Sequence, residues 1–398
     1  MAGCPAPAAR MLTAAQPAAV PVLTFSAEPD GGPPPVLRIG AIGESAFRPA
    51  GGPPMLVLRR RPDVLRTLTD SRHFGMAGVT SSGGLRGCPL TGAEMQSPDG
   101  GLLNMDPPQL RSYRQRINGL FTRSAAEATR PAVHALATGL AAGLAGRPTA
   151  DVLTGFAEPF TAAAVCHAMG IPSQDWDEVL EYSRIAFAVV PSSAEVAAVA
   201  AAWADLYDYY RQMVAAKRAR PDGGLVCQLI DALDGFSASQ VVHVIGTVSN
   251  GFGAVLPVLA VALTELARRP EVVASCLRGE RTWDSVAARL LTRRAMFPVA
   301  LPRVALADSW LDGGLVTAGS VVLPSLIAAA DDPSTPPSPS LPFGAGPHFC
   351  PGAALTRVWL ATALAAFFAA YPAARLAGRL DWQPGTLSVP REIILSLR

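Results

Sequence analysis

One cysteine near the end of the chain stands in a setting that suits metal ligation. Cys350 lies in the stretch "FGAGPHFCPG", residues 343–352, which also holds three glycines and a histidine. Pro351 suits the first turn of a helix, and the free amides at a helix N-terminus favour a thiolate. A thiolate on a glycine-rich turn is a suitable axial ligand for haem iron. The alternative is a buried structural cysteine on a glycine turn.

The other cysteines do not form a second site. The six cysteines are scattered and include no C-x-x-C pair, which argues against structural zinc and against a disulfide framework. The simplest interpretation is that the cysteine thiols are reduced. Their positions are Cys4, Cys88, Cys166, Cys227, Cys276 and Cys350.

Length and composition favour one large soluble domain. The chain has 398 residues, of which 50% are hydrophobic and 16% charged, so it can bury a large core. A formal net charge of +2 gives no reason to expect nucleic-acid binding. No long uninterrupted apolar run spans a membrane. We expect a flexible Ala/Pro-rich leader at 1–35, a single domain at 36–398, and a cytoplasmic monomer without membrane attachment.

The predicted elements place strands at both ends of the chain and helices between them. "VLRIGAIG" and "MLVLRR" predict strands near the N-terminus, and further strands are predicted around 299–306 and 314–323. Residues 75–104 are too rich in glycine and serine for a regular element, so they predict a long loop.

Helical periodicity dominates from about 106 to 300. Segment 237–268 predicts the longest helix, hydrophobic on most faces and therefore central. Another helix, 353–371, begins directly after the cysteine loop. The predicted fold class is thus mainly α. The loop that contains Cys350 lies between a polar loop and an apolar helix.

The loop resembles that of the cytochromes P-450, whose haem loop reads F-x-x-G-x-x-x-C-x-G. Phe343, Gly346, Cys350 and Gly352 match that pattern in register. The resemblance implies a cytochrome P-450 fold, with a large helical domain and a smaller β-rich portion. It also implies haem b between the central and C-terminal helices, with Cys350 as the iron ligand. We expect Gly344 and the other two loop glycines to clear space for the macrocycle.

The same resemblance implies which residues bind the haem propionates. His348 stands where the family often contacts a propionate. "LLNMDPPQLRSYRQRINGLFT" resembles the helix beside the haem, so Arg114 takes the arginine position, while Leu110 replaces the usual histidine. "LPRVALADSWLDGG" resembles the strand whose arginine reaches the other propionate, which implies that role for Arg303.

The central helix departs from the family pattern. The family's A-G-x-acid-Thr, which relays protons to dioxygen, falls on residues 250–254, so Gly253 and Ala254 replace the acid and the alcohol. Gly251 keeps the glycine that relaxes the helix. Thr247 and Asn250, about one turn away, are candidate proton donors together with Ser249, water or the substrate itself. The alternative is that these polar groups only bond preceding helix carbonyls.

A second departure lies in the helix near 282–296. The family's Glu-x-x-Arg pair becomes Leu291 and Arg294, and the loop before Phe343 supplies no third partner. Because a lone buried arginine is costly, we expect Arg294 to bond carbonyls or to reach solvent.

Three functional hypotheses remain open. The first is a monooxygenase or oxidase that acts on a hydrophobic small molecule and receives electrons from a ferredoxin. The second is a haem enzyme of another type: peroxide-dependent, an isomerase, a cyclase or a coupling enzyme. The third is an inactive scaffold. Enrichment in alanine, proline and arginine suggests a high-GC genome, in which soluble relatives often modify secondary metabolites.

Overall fold

The computed structural model describes most of the helical chain and two groups of strands. The predicted leader, the predicted strand "VLRIGAIG" and nearly all of the predicted loop 75–104 lie outside the described residues. The described residues are 46–47, 55–76, 102–103, 105–179, 181, 193–293, 300–311, 314–330, 332, 341–381 and 390–398.

A small β-rich portion contains one five-stranded sheet with strand order β1-β2-β8-β5-β3. β2 pairs in parallel with β8, and the other pairs in the sheet are antiparallel. β6 and β7 form a separate antiparallel hairpin. The strands are β1 Ala46–Phe47, β2 Met55–Leu58, β3 Phe74–Gly75, β5 Arg303–Ala305, β6 Ser309–Leu311, β7 Gly314–Val316 and β8 Val321–Pro324.

The first helix packs against this sheet. α1, Arg61–Thr69, has a proline and Asp63 in its first turn, a pattern typical of a helix start. Val64 and Leu68 are buried, and their spacing of four residues places them on one face of α1. They join Leu58 and Phe74 in a core separate from the main one.

The helical portion holds the main core. Its helices are α2 Gln109–Ile117, α3 Arg123–Ala128, α4 Arg130–Ala142, α5 Glu158–Met169, α6 Ser193–Ala219, α7 Leu225–Ala232, α8 Ala238–Gly253, α9 Val255–Ala267, α10 Pro270–Leu277, α11 Trp283–Arg293, α12 Leu326–Ala330 and α13 Ala353–Ala370. The chain is mostly helical with a small β portion, which confirms the predicted class.

The C-terminal helix α13 lies at the centre of this portion. It packs against α3, α4, α9 and α11. Trp359, Phe367 and Phe368 are fully buried on it, and each buried aromatic stabilises the fold by roughly 2–3 kcal/mol. Among the described helices, α13 has the length and hydropathy of a membrane span. Its burial among four other helices is the setting of a core helix.

The central segment is not the single longest helix that its hydropathy predicted. It forms α8 and α9 with an interruption at Ala254, and α6 is longer, with 27 residues. Pro257 explains the interruption, because proline has no amide hydrogen for the carbonyl of Gly253 four residues earlier. The prediction of one continuous helix over 237–268 was therefore wrong.

One strand interrupts the region that was predicted to be nearly all helical. β4, Thr149–Asp151, pairs with the C-terminal strand β10, Ile394–Ser396, which also pairs with β9, Arg375–Leu376. Three residues carry too little periodicity to predict a strand, and their partner lies more than 240 residues away. Asp151 helps to join the segments, since its Oδ1 accepts a hydrogen bond from the amide of Ile393 at 2.8 Å.

Candidate active site

The cysteine loop is folded by its own backbone. The amide of Cys350 donates to the carbonyl of Phe343 at 3.0 Å, and the amide of Phe349 donates to Gly346 at 3.0 Å. α13 begins at Ala353, directly after the loop. The amides of Gly352 and Ala353 hydrogen-bond to the sulfur of Cys350. The sulfur therefore lies at the N-terminus of a long buried helix, as the sequence predicted.

Burial and local charge act on the Cys350 thiol in opposite directions. Burial raises the pKa of Cys350, while the two amides and the charges of Arg114 and Arg357 act to lower it. The net effect is a raised pKa. A metal ion bound at the sulfur would favour the thiolate, because a coordinating thiol is deprotonated.

Two loop glycines have left-handed backbones for different reasons. Gly344 has a φ of +74° with open space beside it, so only its conformation favours glycine. Gly346 has a φ of +70°, and a Cβ there would lie 2.3 Å from the carbonyl oxygen of Leu68 in α1. A side chain at this position is therefore excluded by the contact with α1, and the expectation that Gly346 also clears space for a macrocycle stays a prediction.

α2 brings Arg114 to the cysteine loop. Leu110, Tyr113 and Ile117 are buried with helical spacing and anchor one face of α2 in the core. Arg114 is half-buried beside this face, and its Nη2 donates to the carbonyl of Phe349 at 2.5 Å. Burial lowers the pKa of Arg114, whereas Cys350 acts to raise it. Leu110, in the position of the family's histidine, is an ordinary core residue.

Arg303 is buried without an ion pair among the described residues. It lies on β5 with 3% of its surface exposed, and its Nη1 contacts the carbonyls of Leu301 at 2.8 Å and Pro302 at 3.0 Å. Burial lowers the pKa of Arg303 to about 10, while Asp106 acts to raise it. The guanidinium is thus still charged at neutral pH. A buried cation without a bonded anion is unfavourable unless a ligand supplies the anion.

His348 has one buried nitrogen that lacks a partner. Its Nε2 is fully buried and forms no hydrogen bond within the described part of the chain. Burial, together with the charges of Arg303 and Arg114, lowers the pKa of His348 to about 3. Its ring hydrogen-bonds to the carbonyl of Met105. His348 and the two arginines therefore converge on one region that offers polar contacts and positive charge.

These groups fit haem. Its iron needs a thiolate, and its two propionates need cationic or polar partners. Cys350 keeps part of its surface accessible although it is surrounded by protein. The partnerless Nε2 of His348 and the unpaired charge of Arg303 are the kind of groups that a bound carboxylate satisfies.

Among the described side chains of the central helix near its interruption, Thr247 has a hydroxyl with a known partner. Thr247 lies on α8, and its hydroxyl donates to the carbonyl of His243 at 2.9 Å. Asn250 and Gly251 lie on the last turn of α8. Ala254, at the interruption, is buried with 1% of its surface exposed. The bond of Thr247 agrees with the alternative that its hydroxyl satisfies a helix carbonyl.

The second departure from the family pattern can be described only in part. Leu291 on α11 has 1% of its surface exposed and belongs to the main core, so apolar packing occupies the place of the family's acid. The prediction for Arg294 lies outside the described residues.

Sequence reasoning missed Arg357, Met76 and Asp106. Arg357 lies on α13 two turns after Cys350, and its guanidinium stands 4.5 Å from the centre of the Phe343 ring. The spacing of seven residues could have identified it, since it returns Arg357 to the face of α13 nearest the sulfur. Nothing in the sequence pairs Met76 with Asp106, because their contact joins segments 30 residues apart.

Known proteins with similar sequences are bacterial cytochromes P-450. The chain is 32% identical to the mycinamicin IV hydroxylase/epoxidase of Micromonospora griseorubida, over 86% of this chain and 89% of that protein. It is 30% identical to a biflaviolin synthase of Streptomyces coelicolor, over 76% of each chain. No protein-family model matches the chain.

Solved structures agree with the sequence relatives. The cytochrome P-450 TxtC, described as carrying out sequential aliphatic and aromatic thaxtomin hydroxylation, superposes with a TM-score of 0.76 and 25% identity. The match covers 88% of this chain and 95% of that one. The chain therefore belongs to the cytochrome P-450 family, as its cysteine loop indicated. It is an oxidoreductase of the monooxygenase type, and the family implies a haem-iron cofactor.

Proposed function

We propose that this protein is a haem b monooxygenase that oxidises a hydrophobic small molecule in a secondary-metabolite pathway. The observation that carries the proposal is the setting of Cys350: two backbone amides on its sulfur and two arginines close enough to affect its pKa. The relatives support the pathway class, because their names refer to mycinamicin IV, biflaviolin and thaxtomin. We propose a substrate of that general kind for this chain.

Each loop and propionate residue has a distinct role in this proposal. Cys350 would bind the haem iron, and His348, Arg303 and Arg114 would hold the propionates. Phe343 packs under the loop, and its carbonyl fixes the Cys350 amide. Gly344 and Gly352 allow the chain to turn beside the cofactor. When bound, haem supplies the activation of dioxygen, and the residues of this chain hold it, exclude water and deliver protons.

Proton delivery is the unusual part of the proposal. Gly253 and Ala254 have no titratable or hydroxyl group, so protons come from water, from the turn containing Thr247 and Asn250, or from an acidic group of the substrate. Gly251 gives this turn the freedom to admit a water molecule. Electrons come from a ferredoxin-type donor. The protein acts as a cytoplasmic monomer whose residues 36–398 form one domain.

The test is the difference spectrum of the reduced protein with carbon monoxide. We expect the Soret band of a thiolate-ligated haem, and steady consumption of oxygen and electrons once a substrate is found. A purified protein, expressed with haem precursor, that lacks this band would overturn the assignment. The spectrum is decisive because it depends on the axial sulfur and requires no knowledge of the substrate.

A second candidate is peroxide-dependent oxidation by the same haem. The absence of an acid and an alcohol at 253–254 favours it, because peroxide already carries the two protons that dioxygen must acquire. Turnover with peroxide but not with dioxygen and an electron donor would select this candidate. The reverse result would select the monooxygenase.

A further inference from the structure

The chain segment directly before α2 supports all three predicted propionate ligands. The carbonyl of Met105 hydrogen-bonds to the ring of His348. The carbonyl of Asp106 accepts the amide of Leu110 at 3.1 Å, which begins the hydrogen bonding of α2, the helix that carries Arg114. The third support, for Arg303, comes from the carboxylate of Asp106.

That carboxylate fixes the position of Met76. Both oxygens of Asp106 lie 2.9 Å from the amide nitrogen of Met76. Gly75 permits this approach, since a Cβ at that position would lie 2.9 Å from Oδ2 of Asp106. Met76 is fully buried, so its side chain has little freedom once its backbone is held.

Met76 in turn contacts the guanidinium of Arg303, whose Nη1 also donates to the carbonyls of Leu301 and Pro302. The Nη1 of Arg303 lies 2.7 Å from the sulfur of Met76. A thioether is an uncharged, weak acceptor, so it restrains the guanidinium without neutralising it. Asp106 is close enough to favour the charged form of Arg303, but its oxygens bond the Met76 amide and form no ion pair with Arg303. The positive charge of Arg303 remains available for a carboxylate ligand.

We propose that Asp106 is a positioning residue that, through Met76, orients Arg303 for a carboxylate of the cofactor. This inference rests on the proposed haem function. The physical benefit is preorganisation: arginine loses considerable side-chain freedom when it is fixed, and Asp106 and Met76 impose that loss before the cofactor binds. A direct Asp106–Arg303 ion pair would compete with the propionate, and the Met76 amide prevents that competition.

The experiment measures how fast haem leaves the purified holoprotein. Transfer of haem to excess apomyoglobin is followed by absorbance for wild type, Asp106→Ala, Asp106→Asn, Met76→Leu, Arg303→Leu and the double variant Asp106→Ala/Arg303→Leu. We expect Asp106→Ala to accelerate release about 10-fold or more, the range found when supporting residues of metal sites are removed. Met76→Leu should give a smaller acceleration in the same direction.

The double variant tests whether Asp106 affects haem release through Arg303 or only by stabilising the fold. If Asp106 acts through Arg303, Asp106→Ala should add less than about twofold when Arg303 is already leucine. Asp151→Ala is the matched control, because Asp151 also joins distant segments through a backbone amide. It should lower the unfolding temperature without accelerating haem release. Asp106→Asn keeps an oxygen for the Met76 amide, so it should release haem at close to the wild-type rate, and Met76→Leu provides the result if the alanine variant does not fold.

Two results would overturn the inference alone: wild-type protein that binds haem while Asp106→Ala releases it no faster than Asp151→Ala, or effects of Asp106 and Arg303 that multiply fully. A wild-type protein without any thiolate-haem band would overturn the proposed function as well. The failures of the two proposals are therefore distinguishable.

Discussion

The loop around Cys350 and the interrupted central helix differ in how much chemistry their side chains offer. Around the loop, two arginines and two backbone amides act on one sulfur. At the interruption between α8 and α9, the family's acid and alcohol are replaced by Gly253 and Ala254. The groups that hold a cofactor are present, whereas the groups that deliver protons are reduced. Holding haem and using dioxygen therefore impose separate demands on the chain, and each can be tested alone.

The largest expected effect is loss of the thiolate-haem band in Cys350→Ala. Without the sulfur no other described side chain replaces the axial ligand, so the reduced carbon monoxide spectrum should lose the band completely. Cys276→Ala is a suitable control because Cys276 is also a buried free thiol. Persistence of the band in Cys350→Ala would contradict the conclusion that the groups around the Cys350 loop hold the cofactor.

The glycines of the loop give the next largest effect. Gly346→Ala should lower the free energy of unfolding by about 3 kcal/mol, because it combines a left-handed backbone with a clash against the Leu68 carbonyl. Gly344→Ala has the same kind of backbone but open space, so about 1 kcal/mol is expected. Chemical denaturation of the haem-free proteins measures both. Equal losses in the two variants would show that contact with α1 contributes nothing.

This pair of glycines also shows what the sequence could and could not predict. The motif correctly placed Gly344 and Gly346 in a loop before a helix, since local spacing determines that much. It could not distinguish their roles, because the partner of Gly346 lies in α1, nearly 280 residues earlier in the chain. Contacts between distant segments leave no periodic signal.

The same limit explains the other differences between sequence and structure. Hydropathy predicted the central location of 237–268 but not its interruption, although Pro257 was visible in the sequence. Strand β4 was missed because its pairing with β10 is a tertiary contact. Arg114, Arg303 and His348 were identified through the family pattern, and the structure brings them close enough for the two arginines to lower the pKa of His348. Their support by Asp106 and Met76 required the coordinates.

A third prediction concerns the interruption between α8 and α9, where the groups that deliver protons are reduced. In Gly253→Asp/Ala254→Thr, a restored acid and alcohol should increase the rate of substrate-dependent product formation about 10-fold or more, since positioned proton donors contribute on the order of 100-fold in enzymes. Gly253→Asp/Ala254→Val is the control, because valine has nearly the same volume as threonine but no hydroxyl. No gain over this control would mean that proton delivery already works by another route.

Thr247→Val should have the smallest effect and decides whether that other route uses α8. The Thr247 hydroxyl donates its hydrogen to the His243 carbonyl, so the side chain already has a structural partner within its own helix. We expect the rate of oxygen consumption with substrate to change less than about twofold, which is under 0.5 kcal/mol of activation free energy. Thr264→Val on α9 is the matched control, because the Thr264 hydroxyl also bonds a carbonyl of its own helix, that of Val261, at 2.8 Å. A loss of tenfold or more in Thr247→Val alone would assign Thr247 to proton delivery, and the central helix would then retain a working relay about two turns before its usual place.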